Sequence, residues 1–219
     1  MRIKGAVFDF DGTLFDSMPV WESLGERYLL SLGIRPAADV KDRVREMSLF
    51  QAACYLREEY ALDLSPEEIR DGINRLIRDF YFYEVLPKRG AHAFLERLTK
   101  EGIRLCIATA SDRAQIEAAL KRCSMERFFE RIFTCTEVGH GKDEPHIFRE
   151  AAAYFDAKPE ETLVFEDALH AARTAAEAEF PVVGVFDSSE PREEELRALC
   201  VCYLSDFEHT EELMSFLPG

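Results

Sequence analysis

The chain has 219 residues, 47% of them hydrophobic and 17 of them Phe. That is enough apolar material for one large core with a smaller unit attached, and it excludes global disorder. Asp and Glu total 42 against 27 Lys and Arg, a formal charge of -15 that argues against a nucleic-acid or anionic-membrane partner. The six cysteines, at positions 54, 106, 123, 135, 200 and 202, make no Cys-x-x-Cys pair and read as reduced residues. No apolar run is long enough to span a bilayer, and the N-terminal residues lack the apolar stretch of a signal peptide. The expectation is a cytoplasmic protein acting as a monomer or weak homodimer.

Ile3 to Phe10 is mostly apolar and reads as a buried strand. Asp9 interrupts it, although a carboxylate there is costly unless it meets a cation, donors or solvent. Asp11 repeats the charge two residues on, and Gly12 turns the chain. Like charges this close resist joint ionisation, which favours a bound metal or a shared proton. Residues 16–84 then read as helices alone. Trp21, Leu24, Tyr28 and Leu32 share a helical spacing over Val20 to Leu32, and Gly33 ends that helix. A second helical stretch is predicted from Val44 to Tyr60. Ser65-Pro66-Glu67-Glu68 has the form of a capping box ahead of the stripe Ile69, Ile73, Leu76, Ile77, Phe80 and Tyr81. Residues 16–84 are therefore expected to form a small helical unit set into a core of residues 1–15 and 85–219.

From Leu86 onward helices and strands alternate. Helices are predicted over Ala91 to Lys100, Arg113 to Cys123, Pro145 to Phe155, Ala168 to Glu179 and Glu193 to Leu199. Strands are predicted over Ile103 to Ala108, Ile132 to Thr134, Thr162 to Phe165, Pro181 to Phe186 and Val201 to Leu204. This order predicts an α/β fold: a Rossmann-like, mostly parallel sheet with helices on both faces.

Polar residues gather at the C-terminal ends of these strands, where ligands bind in such sheets. Asp9 and Asp11 follow the first strand, Thr109 and Ser111 the second, and Glu166 and Asp167 a later one. Lys142, in Gly139-His140-Gly141-Lys142, precedes a helix. Four carboxylates imply a hard divalent cation with oxygen ligands, and magnesium suits a phosphate site. Thr109, Ser111 and Lys142 supply donors and a positive charge for an anion, and a helix N-terminus follows Ser111. Cation and anion sites together are the apparatus of phosphoryl transfer. No G-x-x-x-x-G-K-[ST], G-x-S-x-G or G-x-G-x-x-G is present to suggest a P-loop, serine-hydrolase or dinucleotide enzyme. His140 and His146 flank Lys142, but without cysteine partners they read as loop residues and not as a zinc site. Arg113 reads equally as a site residue and as a surface helix residue.

These motifs resemble the haloacid dehalogenase-like hydrolase superfamily, in the group with a helical cap after the first motif. Asp9-Phe10-Asp11-Gly12-Thr13 is similar to its first motif, Thr109-Ala110-Ser111 to its second, Lys142 to its third and Glu166-Asp167 to its fourth. The resemblance implies Asp9 as nucleophile and Asp11 as general acid/base. It implies phosphate binding by Thr109, Ala110, Ser111 and Lys142. It also implies magnesium held by Asp9, the Asp11 backbone carbonyl, Glu166 and Asp167, the last being the direct ligand of that pair. The family commonly has Gly-Lys-Pro-x-Pro-Asp at the third motif, where this chain reads Gly141-Lys142-Asp143-Glu144-Pro145-His146. The Ser and Gly that usually follow the fourth motif are Ala168 and Ala171 here.

The expected activity is magnesium-dependent hydrolysis of a small phosphomonoester, a sugar phosphate or similar metabolite, through an aspartyl phosphate. The helical insert would set substrate choice, with Trp21, Arg43, Arg45 and Ser48 as its candidate contacts. A beta-phosphoglucomutase-like sugar-phosphate mutase would share the core motifs. A receiver-like or non-catalytic phosphate-binding module is the alternative of another class, and the long helical insert fits it poorly.

Overall fold

The first strand, β1 (Gly5–Phe8), is buried at every position, which is why its sequence is a continuous apolar run without polar alternation. The computed structural model describes residues 3–44, 47 and 49–216. After β1 come five helices of the insert: α1 (Met18–Glu22), α2 (Leu24–Ser31), α3 (Val40–Val44), α4 (Leu49–Glu59) and α5 (Pro66–Tyr83). Then follow α6 (Ala91–Lys100), β2 (Arg104–Thr109), α7 (Arg113–Arg122), β3 (Arg131–Thr134), α8 (Cys135–Val138) and α9 (His146–Tyr154). The chain continues through β4 (Thr162–Glu166), α10 (Leu169–Glu177), β5 (Val182–Val185), α11 (Glu193–Leu199), β6 (Cys202–Leu204) and α12 (Glu211–Phe216). No helix among the described residues is long and apolar enough to cross a membrane.

The six strands form one parallel sheet in the order β3-β2-β1-β4-β5-β6. The chain builds outward from β1 to β3, then returns to the other side of β1 with β4. The order therefore reverses between β1 and β4, the position at which open α/β sheets form a ligand crevice. Successive side chains point to opposite faces of a strand. Val7, Cys106, Val164 and Val182 thus share one face, packed with Ile147, Phe148 and Ala151 of α9 and Leu169, Ala172 and Ala175 of α10. On the other face Phe8 stacks on Phe165 with ring centroids 4.1 Å apart, and Phe94 of α6 meets Phe165 edge-on at 5.7 Å.

The chain divides into two compact units, residues 1–17 with 85–219 and residues 18–84. Within the second, α5 presents Ile69, Ile73, Ile77, Phe80 and Tyr81 as a buried stripe. Its capping box is formed: the Glu68 amide donates to Ser65 Oγ at 3.2 Å, and the Ser65 amide donates to Glu68 Oε2 at 2.8 Å.

Two expectations for this unit need correction. The predicted helix over Val20 to Leu32 is interrupted at Ser23. The Ser23 hydroxyl donates to the Pro19 carbonyl at 2.6 Å, and its backbone leaves the helical region with ψ near 10°. The stretch from Val44 to Tyr60 holds α4, with α3 ending at Val44 and Met47 standing outside both. Arg45 and Ser48 lie outside the described residues.

Gly5 sits where β1 meets the end of α9. A Cβ there would stand 2.2 Å from a ring carbon of Phe155. Gly5→Ala is expected to cost about 1–3 kcal/mol, as overpacking of a dense core does. Urea denaturation checks this, and a Gly5→Ala, Phe155→Leu double variant should recover part of the loss because it removes the colliding ring.

Candidate active site

β1 stops at Phe8, so the next residues leave the sheet at its C-terminal edge. They are held in a closed turn. The Gly12 amide donates to the Phe15 carbonyl at 3.0 Å, and the Leu14 and Phe15 amides donate back to the Phe10 carbonyl at 3.0 and 2.9 Å. Gly12 has φ +74°, a conformation that glycine adopts without steric cost. Phe10 and Phe15, both fully buried, stack at 4.2 Å and anchor the turn. Asp9 and Asp11 are thereby fixed on either side of a buried aromatic.

Asp9 Oδ1 accepts from its neighbour's amide, Phe10 N, at 2.7 Å and lies 2.6 Å from Lys142 Nζ. Lys142 comes from the turn between α8 and α9 and is itself buried. Its ammonium also donates to Glu166 Oε1 at 2.7 Å. Glu166 ends β4, the strand beside β1, and is fully buried. Its second oxygen, Oε2, is buried without a hydrogen-bond partner among the described residues. Asp167 follows, with Oδ1 accepting from the Thr13 hydroxyl at 2.6 Å. Carboxylate oxygens of Asp9, Glu166 and Asp167 all lie within 4.8 Å of one another.

Asp11 is gripped on both oxygens. Ser17 Oγ donates to Oδ1 at 2.7 Å and Ser111 Oγ donates to Oδ2 at 2.6 Å. Thr109, buried at the end of β2, accepts from the Ser111 amide at 3.0 Å, and a hydroxyl that accepts there can still donate its own hydrogen. Ala110 is exposed between them.

Burial raises the Asp9 carboxyl well above its ordinary value; Lys142 opposes that rise, while Glu166, Asp167 and Asp11 add to it. Burial lifts Asp167 to about 7, with Glu166 reinforcing the rise and the Thr13 hydrogen bond and Lys88 opposing it. For Lys142 burial alone would lower the pKa, but Asp9 and Glu166 together outweigh it and hold the ammonium charged. Asp9, Asp11, Glu166 and Asp167 bring four negative charges when ionised, and Lys142 returns one. The unpaired, buried Glu166 Oε2 and the three converging carboxylates fit a hard divalent cation with oxygen ligands.

The four motifs thus meet at the ends of β1, β2 and β4 and on the α8–α9 turn. Other candidate residues have partners of their own. The Ser111 hydroxyl, read as an anion donor, is turned onto Asp11. Arg113 is engaged with Glu137 at 2.6 Å and with the Ile132 carbonyl at 2.8 Å. Trp21 donates from Nε1 to the Tyr81 hydroxyl at 3.1 Å, and Arg43 pairs with Asp39 at 2.8 Å. Nothing in the sequence alone singles out Thr13, Ser17 or Lys88. Thr13 stood inside the first motif but carries no chemistry by itself. Ser17 faces Asp11 only because the intervening turn closes. Lys88 forms a nearly buried pair with Asp187 at 2.9 Å, and neither residue belongs to a strand-end motif.

Comparison with known proteins agrees with this geometry. Residues 3–179 match the haloacid dehalogenase-like hydrolase family. The chain is 30% identical over 217 residues to the probable pseudouridine-5'-phosphatase of Drosophila melanogaster, covering 94% of this chain and 92% of that one. It is 23% identical over 176 residues to the phosphorylated carbohydrates phosphatase of Thermotoga maritima, covering 80% and 82% of the two chains. A crystal structure from Thermotoga maritima, described provisionally as a beta-phosphoglucomutase, superposes with a TM-score of 0.86 at 22% identity, covering 99% of this chain and 100% of the other. At that identity the last likeness speaks for the fold alone. The chain belongs to the haloacid dehalogenase-like hydrolases, and within them it is a phosphatase, a hydrolase of phosphoric monoesters.

Proposed function

We propose that this enzyme hydrolyses a small phosphomonoester, a sugar phosphate or similar metabolite, with magnesium as cofactor and through an aspartyl phosphate on Asp9. One observation carries the reading: a carboxylate at the end of β1 is held by a buried ammonium, while a second carboxylate two residues on is gripped by two hydroxyls. The relatives named for phosphatase activity support it.

In this reading Asp9 attacks phosphorus in line. The bond from its oxygen to phosphorus forms as the bond to the leaving oxygen breaks. Lys142 and the Thr109 hydroxyl stabilise charge on the phosphoryl oxygens, and the Ala110 amide lends a further donor. Asp11 gives its proton to the leaving oxygen, then takes one from the water that attacks the aspartyl phosphate, releasing phosphate and restoring Asp9. Ser17 and Ser111 orient Asp11 for both transfers. Magnesium would be held by Asp9, Asp167, Glu166 and the Asp11 backbone carbonyl, and when bound it offsets repulsion between the anionic nucleophile and the anionic phosphoryl group. Every side chain given a chemical role belongs to the unit of residues 1–17 and 85–219, so we assign substrate choice to the helical unit of residues 18–84.

A panel of phosphorylated sugars and nucleosides, with free phosphate and isomerised product both measured, tests the function. Phosphate release that stops on magnesium removal and returns with magnesium supports the proposal. Isomer appearing faster than phosphate, or full turnover without divalent metal, would overturn it.

The roles of the two aspartates separate kinetically. Asp9→Asn should lose several orders of magnitude in turnover. Asp11→Asn removes a proton-transfer group, typically worth about 10²–10⁴-fold. With p-nitrophenyl phosphate, whose leaving group needs little protonation, it should release up to one equivalent of p-nitrophenolate and then slow. An alkyl phosphate should give no such burst. Rapid-quench kinetics checks both, and a near wild-type rate on the alkyl ester would reject Asp11 as the acid/base.

Protonation supplies another expected outcome. The folded Asp167 titrates near 7 and an ordinary carboxylate near 3.8. Between those values the metal-depleted fold keeps a proton that the unfolded chain has lost. Its stability contribution is therefore present below the lower value and declines as pH rises through the higher one. Asp167→Asn is neutral throughout. In EDTA-treated protein the Tm of Asp167→Asn minus that of wild type should grow from about pH 4 to pH 8, and saturating magnesium should shrink it. A difference independent of pH would contradict the burial of this carboxylate.

A further inference from the structure

The segment that carries Lys142 departs from its family's pattern at Asp143 and His146, and the structure sets His146 beside His140 and Glu144. His140 Nδ1 lies 3.3 Å from Glu144 Oε1, and His146 Nδ1 lies 3.4 Å from Glu144 Oε2. The two imidazoles stack with centroids 3.8 Å apart and planes 10° from parallel. One ligand atom from each of the three residues falls within 4.8 Å of the others. All three side chains are partly exposed, between 40% and 52%.

We propose that His140, Glu144 and His146 form a second cation site, selective for a borderline transition metal such as zinc and separate from the carboxylate cluster at the strand ends. Both Nδ1 atoms face the Glu144 carboxylate, so a cation seated there would meet two nitrogens and an oxygen. Two nitrogens and one carboxylate are a zinc donor set, with a further position left to water. Magnesium, which prefers oxygen ligands and keeps its own waters, is a poor match. The two sites thus differ in donor chemistry: carboxylates alone at one, mixed nitrogen and oxygen at the other.

The backbone brings the three residues to one turn. Gly139 closes α8 with φ +81°, its amide donating to the Cys135 carbonyl. The Glu144 amide folds back to the Gly141 carbonyl at 3.3 Å, and Pro145 starts α9 with φ near -78°. The ligands stand toward both ends of a turn that carries Lys142. The third donor is Glu144, so no cysteine is needed to complete the set. Parallel rings cannot both aim a lone pair at one ion, so binding must unstack the histidines, which partly exposed side chains do at little cost. Occupancy would then fix the span from 140 to 146 around the lysine that holds Asp9 and Glu166.

Cobalt(II), a coloured stand-in for zinc, gives a direct test in protein kept saturated with magnesium. The proposal predicts a visible absorption band that saturates near one equivalent and is displaced by zinc. His140→Ala, His146→Ala and Glu144→Ala should each weaken cobalt binding at least about tenfold, the scale that even outer-shell changes reach at metal sites. Circular dichroism of each variant verifies its fold. In the histidine NMR spectrum, His140 and His146 should be the ring signals broadened by cobalt, with His92, His170 and His209 unaffected. Cobalt binding of unchanged strength in His146→Ala, or ring signals of 140 and 146 that do not respond, would overturn the site.

Discussion

A single buried ammonium holds the catalytic end of this fold together. Lys142 reaches Asp9 at 2.6 Å and Glu166 at 2.7 Å, joining the strand-end segments after β1 and at the end of β4 through a residue that belongs to neither. Removing one member of a buried ion pair leaves the other charge uncompensated, typically at a cost of about 3–5 kcal/mol. The sheet order makes this contact possible. Because β4 lies beside β1, Asp9 and Glu166 come out at the same edge, and the turn before α9 delivers the lysine between them.

That contact neutralises only part of the charge. The remaining carboxylates are restrained by hydroxyls: Thr13 on Asp167, Ser17 and Ser111 on Asp11. Short hydrogen bonds to ionised acceptors fix orientation as well as energy. The result is a rigid, electron-rich rim at the sheet's switch point, with one cation built in and room in its charge balance for another. A formal charge of -15 over the whole chain does not prevent binding of an anionic substrate, because the local balance is set by Lys142 and by any bound metal.

Much of the core was legible from the sequence for physical reasons. Apolar runs such as Ala6-Val7-Phe8 and Leu163-Val164-Phe165 specify strands buried on both faces, and the helices between them require parallel pairing. A carboxylate such as Asp9 or Glu166 at the end of such a run stands out because it is costly there. The short helices α8 and α12 were not legible, since four to six residues are too few to show a periodicity. The break at Ser23 depends on one hydroxyl finding a carbonyl. The hold of Ser17 on Asp11 and the convergence of His140, Glu144 and His146 depend on how a turn closes, which spacing alone does not state. Ser111 shows the same limit: its position at a strand end was readable, whereas the partner of its hydroxyl was not.

The central claim is that Asp9 is a covalent nucleophile, and the stereochemical course at phosphorus tests it most directly. A phosphorothioate monoester made chiral with oxygen isotopes, hydrolysed in isotopically labelled water, reports the number of in-line displacements. Two displacements, first by Asp9 and then by water, predict retention of configuration. Inversion would mean that water attacks the substrate directly and would contradict the account.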